Sequence, residues 1–157
     1  MADDNIPPIL ADWFAARGWS VRRHQLEMLA AARQGRHALL TAPTGAGKTL
    51  AGFLPTLVEL VEQVNAKSVR PEPVEGPGAP GQLLRQAQHE RQGTDTLHTL
   101  YISPLKALAV DVQRNLLTPV EEMGLPITVE TRSGDTPAAR KARQRVKPPQ
   151  ILLTTPE

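Results

Sequence analysis

The sequence predicts an α/β protein with a parallel β-sheet flanked by helices. Three observations carry the prediction. Over the C-terminal part of the chain, short apolar runs alternate with amphipathic stretches: a strand at 97–103, a helix at 104–117, a strand at 127–132, a helix at 137–145 and a strand at 151–154. That order is typical of parallel strands joined by helical crossovers. The runs Ala38-Leu39-Leu40 and Ile151-Leu152-Leu153 are continuous rather than alternating, as strands buried on both faces tend to be. Between a strand-like run at 37–41 and a long helical pattern lies the octapeptide Ala42-Pro43-Thr44-Gly45-Ala46-Gly47-Lys48-Thr49, in the position of a phosphate-binding loop.

The elements follow in order. Residues 9–17 read as a short helix with Ile9, Leu10, Trp13 and Phe14 on one face and Gly18 as its stop. A second helix spans 22–33, with Leu26, Leu29 and Ala30 inward and Gly35 behind it. The helix after the loop starts near Lys48 and carries Leu50, Leu54, Leu57, Val58, Val61 and Val64 at helical spacing. Pro55 lies inside it and is expected to kink it. From Lys67 to Thr96 the chain turns rich in Pro, Gly and Gln, too polar to bury much. This stretch reads as a surface insertion, far longer than an ordinary connection, with a short helix possible within 83–90. In the strand that follows, Leu100 and Tyr101 read as core. In the next helix, Pro104 stands at the start and Leu105, Leu108, Val112 and Leu116 face inward.

The loop's composition follows from its chemistry. Gly45 and Gly47 have no Cβ, so the chain can turn tightly and aim backbone N–H groups at one point. The helix then begins with free N–H groups and a positive dipole end directed at that point. Lys48 adds a full charge for the β- and γ-phosphates, and the Thr49 hydroxyl is a ligand for Mg²⁺. Pro43, Thr44 and Ala46 complete the cradle. Ala42 stands where such loops usually carry their first glycine. Upstream, Gln25 carries an amide that can accept from adenine N6 and donate to N7 together, a selector for ATP. In isolation it reads more readily as a polar residue of an ordinary first helical turn, and its position relative to the phosphate loop reverses that preference.

Composition bounds the rest. At 157 residues the chain is about one domain. Hydrophobic residues form 40% of it, enough for a core, and aromatics only 3%, which leaves little for base-stacking platforms. A net charge of +2 is a mild basic lean and weak evidence for nucleic acid. There is no cysteine, hence no disulfide or thiolate metal site. Met1 to Asn5 is acidic and polar, unlike a signal peptide, and no apolar run has the length of a membrane span. A cytoplasmic location is the expectation. His24, His37, His89 and His98 have no metal-ligand spacing.

Three segments stand where parallel strands end: Ser103-Pro104-Leu105-Lys106, Ser133-Gly134-Asp135-Thr136 and Thr154-Thr155-Pro156-Glu157. Ligands gather at the carboxyl ends of strands in open α/β sheets, and helix-start N–H groups hold phosphates. Each segment alone is a plain N-cap; three in series after a phosphate loop suggest a track for nucleic-acid phosphates. The cluster Arg140, Lys141, Arg143, Arg145 and Lys147 could steer DNA, although such runs are more often solvated helix faces.

These residues together resemble superfamily 2 helicases, most closely the DNA ligase-associated DEXH-box helicases, relatives of the large helicase-related proteins. The octapeptide resembles motif I and Gln25 the adenine-reading glutamine. Ser103-Pro104-Leu105-Lys106-Ala107-Leu108 resembles motif Ia, Ser133-Gly134-Asp135-Thr136 the glycine-containing motif after it, and Thr154-Thr155-Pro156-Glu157 motif Ib. Trp13-Phe14-Ala15-Ala16-Arg17-Gly18-Trp19 and the run 105–112 look like that subfamily rather than the DEAD-box RNA helicases. The resemblance covers all but 67–96.

It implies a RecA-like P-loop NTPase fold: an N-terminal helical segment over 1–35 that carries Gln25, then a partial ATP-binding helicase domain over 36–157. It further implies ATP and Mg²⁺ as cofactors and single-stranded or partly duplex DNA as partner. The nucleic-acid contacts implied are Ser103, Pro104, Leu105, Lys106, Ser133, Gly134, Asp135, Thr154, Thr155 and Pro156. The family's Asp-Glu-x-His motif and second RecA-like domain are not within the 157 residues. The expectation is therefore an N-terminal part of a helicase, inactive alone for want of an arginine finger. Another P-loop enzyme, such as a small-molecule kinase, and a nucleotide-binding module without hydrolysis are the alternatives.

Overall fold

The computed structural model describes residues 6–68 and 96–156. They divide into two compact units, one of 6–68 with 114–126 and one of 96–113 with 127–156. The expected insertion at 67–96 lies almost wholly outside the described residues, and the stretch 83–90, where the sequence allows a short helix, lies wholly outside them.

The first unit is helical. Helix α1 spans Pro8–Ala16, α2 Arg23–Arg33 and α3 Lys48–Ser68. Proline at N1 suits α1 because a first-turn amide needs no partner within the helix. Gly18 and Gly35 follow α1 and α2 with φ of +64° each, the left-handed stop that favours glycine. Helix α3 is the centre of the unit. It packs on α2, and Leu54, Leu57, Val58 and Val61 are fully buried, as are Leu29 of α2 and Leu10 of α1. It runs through Pro55 and on to Ser68 as one helix. Burial corrects three details. Ile9 is exposed while Leu10, Trp13 and Phe14 are buried. In α2 the buried positions are Gln25, Leu29 and Ala31, while Leu26 and Ala30 are half-buried.

Helix α1 is tied to the end of helix α4 (Lys106–Glu122), which begins in the second unit and finishes in the first. Trp13 Nε1 donates to Glu122 Oε2 at 2.9 Å, and Arg17 pairs with the same carboxylate. The Arg17 guanidinium lies 4.1 Å from the Trp13 ring centroid, so stacking and charge pairing fix it together.

The second unit holds the sheet. Strands β1 (Thr99–Ile102), β2 (Val129–Arg132) and β3 (Ile151–Thr154) are parallel in the order β1-β3-β2. Helix α5 spans Ala138–Val146 between β2 and β3. The register pairs Thr99 and Val129 with Ile151, and Ile102 and Arg132 with Thr154. Gln150 locks it from below. Its carbonyl accepts from His98 and Thr99 N–H at 2.9 Å, and its Oε1 accepts from Thr128 N–H at 2.7 Å. One residue thereby ties the entry of β3 to the entries of both neighbours.

Three expectations about burial are overturned here. Ile151 and Leu153 are fully buried, but Leu152 is only half-buried, so β3 is dry on one face. Leu100 is 50% exposed and Tyr101 half-buried, and β1 is an outer strand of the sheet. In α4, Val112 and Leu116 are buried with Ala109, while Leu108 and, just before the helix, Leu105 are exposed.

The strand expected at 37–41 does not form. Residues 36–43 have no regular secondary structure, and Leu39 is 91% exposed. A strand exists only through ladder bonds to a neighbour, and none of the three paired strands takes this run as its partner. Among the described residues, no helix is long and apolar enough to cross a membrane.

Candidate functional site

The phosphate loop keeps its turn without the strand. Gly45 has φ of +81° and Gly47 +77°, a region that L side chains enter at a cost. Ala46 N–H donates to Pro43 O at 3.2 Å, and Ala51 N–H closes α3 onto Gly47 O at 3.0 Å. The amides of Lys48, Thr49 and Leu50 therefore belong to the open first turn of a helix of 21 residues. Lys48 Nζ donates to Ala42 O at 2.6 Å and to Pro43 O at 3.0 Å, so its ammonium is held over the loop. Pro43, Thr44, Gly45, Lys48 and Thr49 are exposed; Ala46 and Gly47 are half-buried.

Gln25 lies against the same loop. Only 3% of it is exposed, and a Cβ built on Gly47 would lie 3.2 Å from its Nε2. Arg22 N–H donates to Gln25 Oε1 at 2.9 Å, the half of a capping box that a glutamine at N3 supplies. That bond leaves a lone pair on Oε1 and the amide N–H groups beside the loop. Phe14, Trp19, Arg22, Gln25, Gly45 and Gly47 line a cavity of about 400 Å³, within the range of small-ligand sites. Trp19 is exposed at its wall, an aromatic that composition alone gave no reason to single out. A second cavity of about 340 Å³ adjoins Gly47 and Thr49 and is walled by Trp13, Arg17, Trp19 and Phe53.

The other predicted residues meet at the carboxyl edge of the sheet. Because Ile102, Thr154 and Arg132 are in register, the next residues, Ser103, Thr155 and Ser133, lie side by side. Ser103 N–H donates to Thr154 O at 2.9 Å, which continues the ladder past β1. Ser103 is fully buried and its hydroxyl donates to Leu105 O at 3.0 Å, so it shapes the turn. Thr155 is buried too, and its Oγ1 has no partner among the described residues. Pro104, Leu105, Lys106, Gly134, Asp135 and Pro156 are exposed, and Ser133 and Thr154 half-buried. Thr136 Oγ1 accepts from Ser133 N–H at 2.9 Å, a local cap, and Lys106 pairs with Asp135.

The basic cluster of α5 is partly committed within the unit. Arg143 Nη2 reaches both oxygens of Glu130 at 2.7 Å, with Gln144 Nε2 at 2.8 Å, and Lys141 Nζ donates to Gly134 O at 2.8 Å. Burial pushes the Glu130 carboxyl up, but the hydrogen bonds from Arg143 and Gln144 and the charges of Arg143 and Arg140 outweigh it and hold the pKa below its ordinary value. Among the described residues no His, Cys, Asp and Glu gather as a metal site.

A loop of this conformation at a helix start in one unit, and a parallel sheet with polar strand ends in the other, are features of a RecA-like P-loop NTPase fold. The chain belongs to the DEAD/DEAH box helicase family, whose pattern matches residues 22–157. It is 38% identical over 156 residues to the Lhr helicase/probable uracil glycosylase of Mycolicibacterium smegmatis, covering 93% of this chain and 9% of that protein. The Mycobacterium smegmatis helicase Lhr bound to ssDNA and AMP-PNP has a similar structure, with a TM-score of 0.66 at 34% identity over 98% of this chain and 17% of that one. So does the DUF1998 helicase MrfA bound to DNA and AMPPNP, with a TM-score of 0.69 at 27% identity and the same coverage. The chain spans about a tenth of the length of the curated Lhr helicases of Mycolicibacterium smegmatis and Escherichia coli that it matches.

Proposed function

We propose that this chain is the part of an ATP-dependent DNA helicase that grips ATP through 42–49 and Gln25 and meets single-stranded DNA phosphates along the carboxyl edge of its sheet. The observation that carries the reading is the contact of Gln25 with Gly47: a buried base-reading amide abuts a glycine-built phosphate cradle in one cavity. The amides at the start of α3 and the Lys48 ammonium take the phosphates. Gln25 reads the adenine edge with its free N–H groups and remaining lone pair. Thr49 is the residue that would hold Mg²⁺, whose charge would neutralise the β- and γ-oxygens.

The strand-binding part is supported by the side-by-side Ser103, Thr155 and Ser133 and by the DNA-bound state of the two similar helicase structures. Exposed Pro104, Lys106, Gly134 and Pro156 offer the contact surface. Ser103 acts through the backbone turn that it holds.

Titration calorimetry with Mg-ATP tests the nucleotide half. Binding by the native chain that disappears in Lys48→Ala, with Tm retained because Lys48 is exposed, is the expected result. Equal heats from both proteins would refute it.

A further inference from the structure

The pairing of Lys106 with Asp135 gives the strand-end surface a feature that phosphate binding alone does not require. Lys106 opens α4 after β1, and Asp135 follows β2. These are the two outer strands, and β3, with Thr155 behind it, runs between them. A polyanion that crosses all three strand ends therefore has to meet this pair. Both partners are accessible, Lys106 with 46% and Asp135 with 80% of the side chain exposed. The carboxylate is presented from a pinned turn. Thr136 N–H donates to Ser133 O at 3.1 Å, Ser133 N–H donates to Thr136 Oγ1, and Lys141 holds Gly134 O. Lys106 also stands at the positive end of the α4 dipole, where a cation is disfavoured and an anion welcome.

We propose that Asp135 is a built-in competitor for nucleic-acid phosphate at Lys106, a rest-state stand-in that a bound strand displaces. This rests on the strand-binding half of the proposed function. A carboxylate offers a phosphate nothing but repulsion, so Asp135 acts against binding while Lys106 acts for it. The pair thereby sets a threshold: a strand that engages several strand ends at once opens it, and a lone anion has only the one contact with which to compete. Lys106 is already neutralised at rest, so its contact adds little to the salt dependence of binding until Asp135 is removed.

The test is fluorescence anisotropy of labelled oligothymidine with the 157-residue chain, as native protein, Asp135→Asn, Lys106→Ala and the double variant, at several salt concentrations. Asp135→Asn is expected to bind about two- to five-fold tighter at low salt, the factor held by an exposed ion pair. Its log–log salt slope should steepen by up to about 0.7, one single-strand phosphate contact. The tightening should vanish in the Lys106→Ala background. The same tightening with and without Lys106 would mean diffuse repulsion and would overturn the proposal, as would no tightening at all. A native chain that binds no oligothymidine would overturn the strand-binding reading and this inference with it. Asp135→Ala repeats the test with the amide removed.

Discussion

Replacing Gly47 with alanine brings two costs to one position, and the structure lets them be separated. The first is backbone: φ is +77°, and an L residue there costs about 1–2 kcal/mol. The second is contact. The new methyl would sit 3.2 Å from Gln25 Nε2, tighter than an ordinary van der Waals approach, so the amide has to give. Gln25 is buried and pinned to Arg22 N–H at 2.9 Å, and turning it away loses a bond worth about 0.5–1.5 kcal/mol. Gly45 is the internal control, with φ of +81° and nothing within 4 Å of its built Cβ. Gly45→Ala should therefore cost about 1–2 kcal/mol, and Gly47→Ala that plus roughly 0.5–1.5 kcal/mol. At about 2–4 °C per kcal/mol for a chain of this size, Gly47→Ala should melt about 1–6 °C below Gly45→Ala. The assay is thermal unfolding without nucleotide, repeated in a Gln25→Ala background where the difference should close. Equal melting of the two variants with Gln25 present would refute the reasoning.

Two further outcomes are expected. Glu130 has its pKa lowered in the folded protein, so it contributes stability that is present above its ordinary value of 4.5 and lost as pH falls through the lower folded value. Melting of the native chain should fall more steeply than that of Glu130→Gln below about pH 4.5, and parallel curves would show that the Arg143 pair contributes nothing. Leu39→Lys should change stability by no more than about 0.5 kcal/mol, because the side chain is already 91% exposed. A loss of several degrees in its melting curve would mean that 37–41 is packed as a strand after all.

Helices and sheet order were legible to different depths. Helix α3 could be read directly, because a long 3.6-residue apolar period admits few alternatives, and the short apolar run of β3 was placed by its position in the strand–helix alternation. The ends of β1 and β2 came out shorter than their apolar runs, since pairing rather than apolarity decides where a strand stops. The 37–41 run failed for the same reason, with strand composition but no ladder partner. Leu100, Leu105 and Leu108 read as inward from spacing alone, yet burial depends on what lies opposite, and no sequence period reports that. Gln150 left no signal: its bonds to Thr128, 22 residues earlier, exist only once three strands are aligned. The pairing of Lys106 with Asp135 also left no signal, since the two residues follow different strands and meet only once β1 and β2 are aligned through β3.

Local chemistry was therefore written in the chain itself. The glycines that permit positive φ, the lysine and threonine at a helix start and the glutamine upstream are properties of residue type and spacing, and these act over one or two turns of backbone. Tertiary structure decided what depends on meeting across distance. It brought Gln25 against Gly47, put Ser103, Thr155 and Ser133 abreast, and paired Lys106 with Asp135. Strand register and helix packing are collective, set by hydrogen bonds and burial among segments far apart in sequence, so no single stretch of residues contains them.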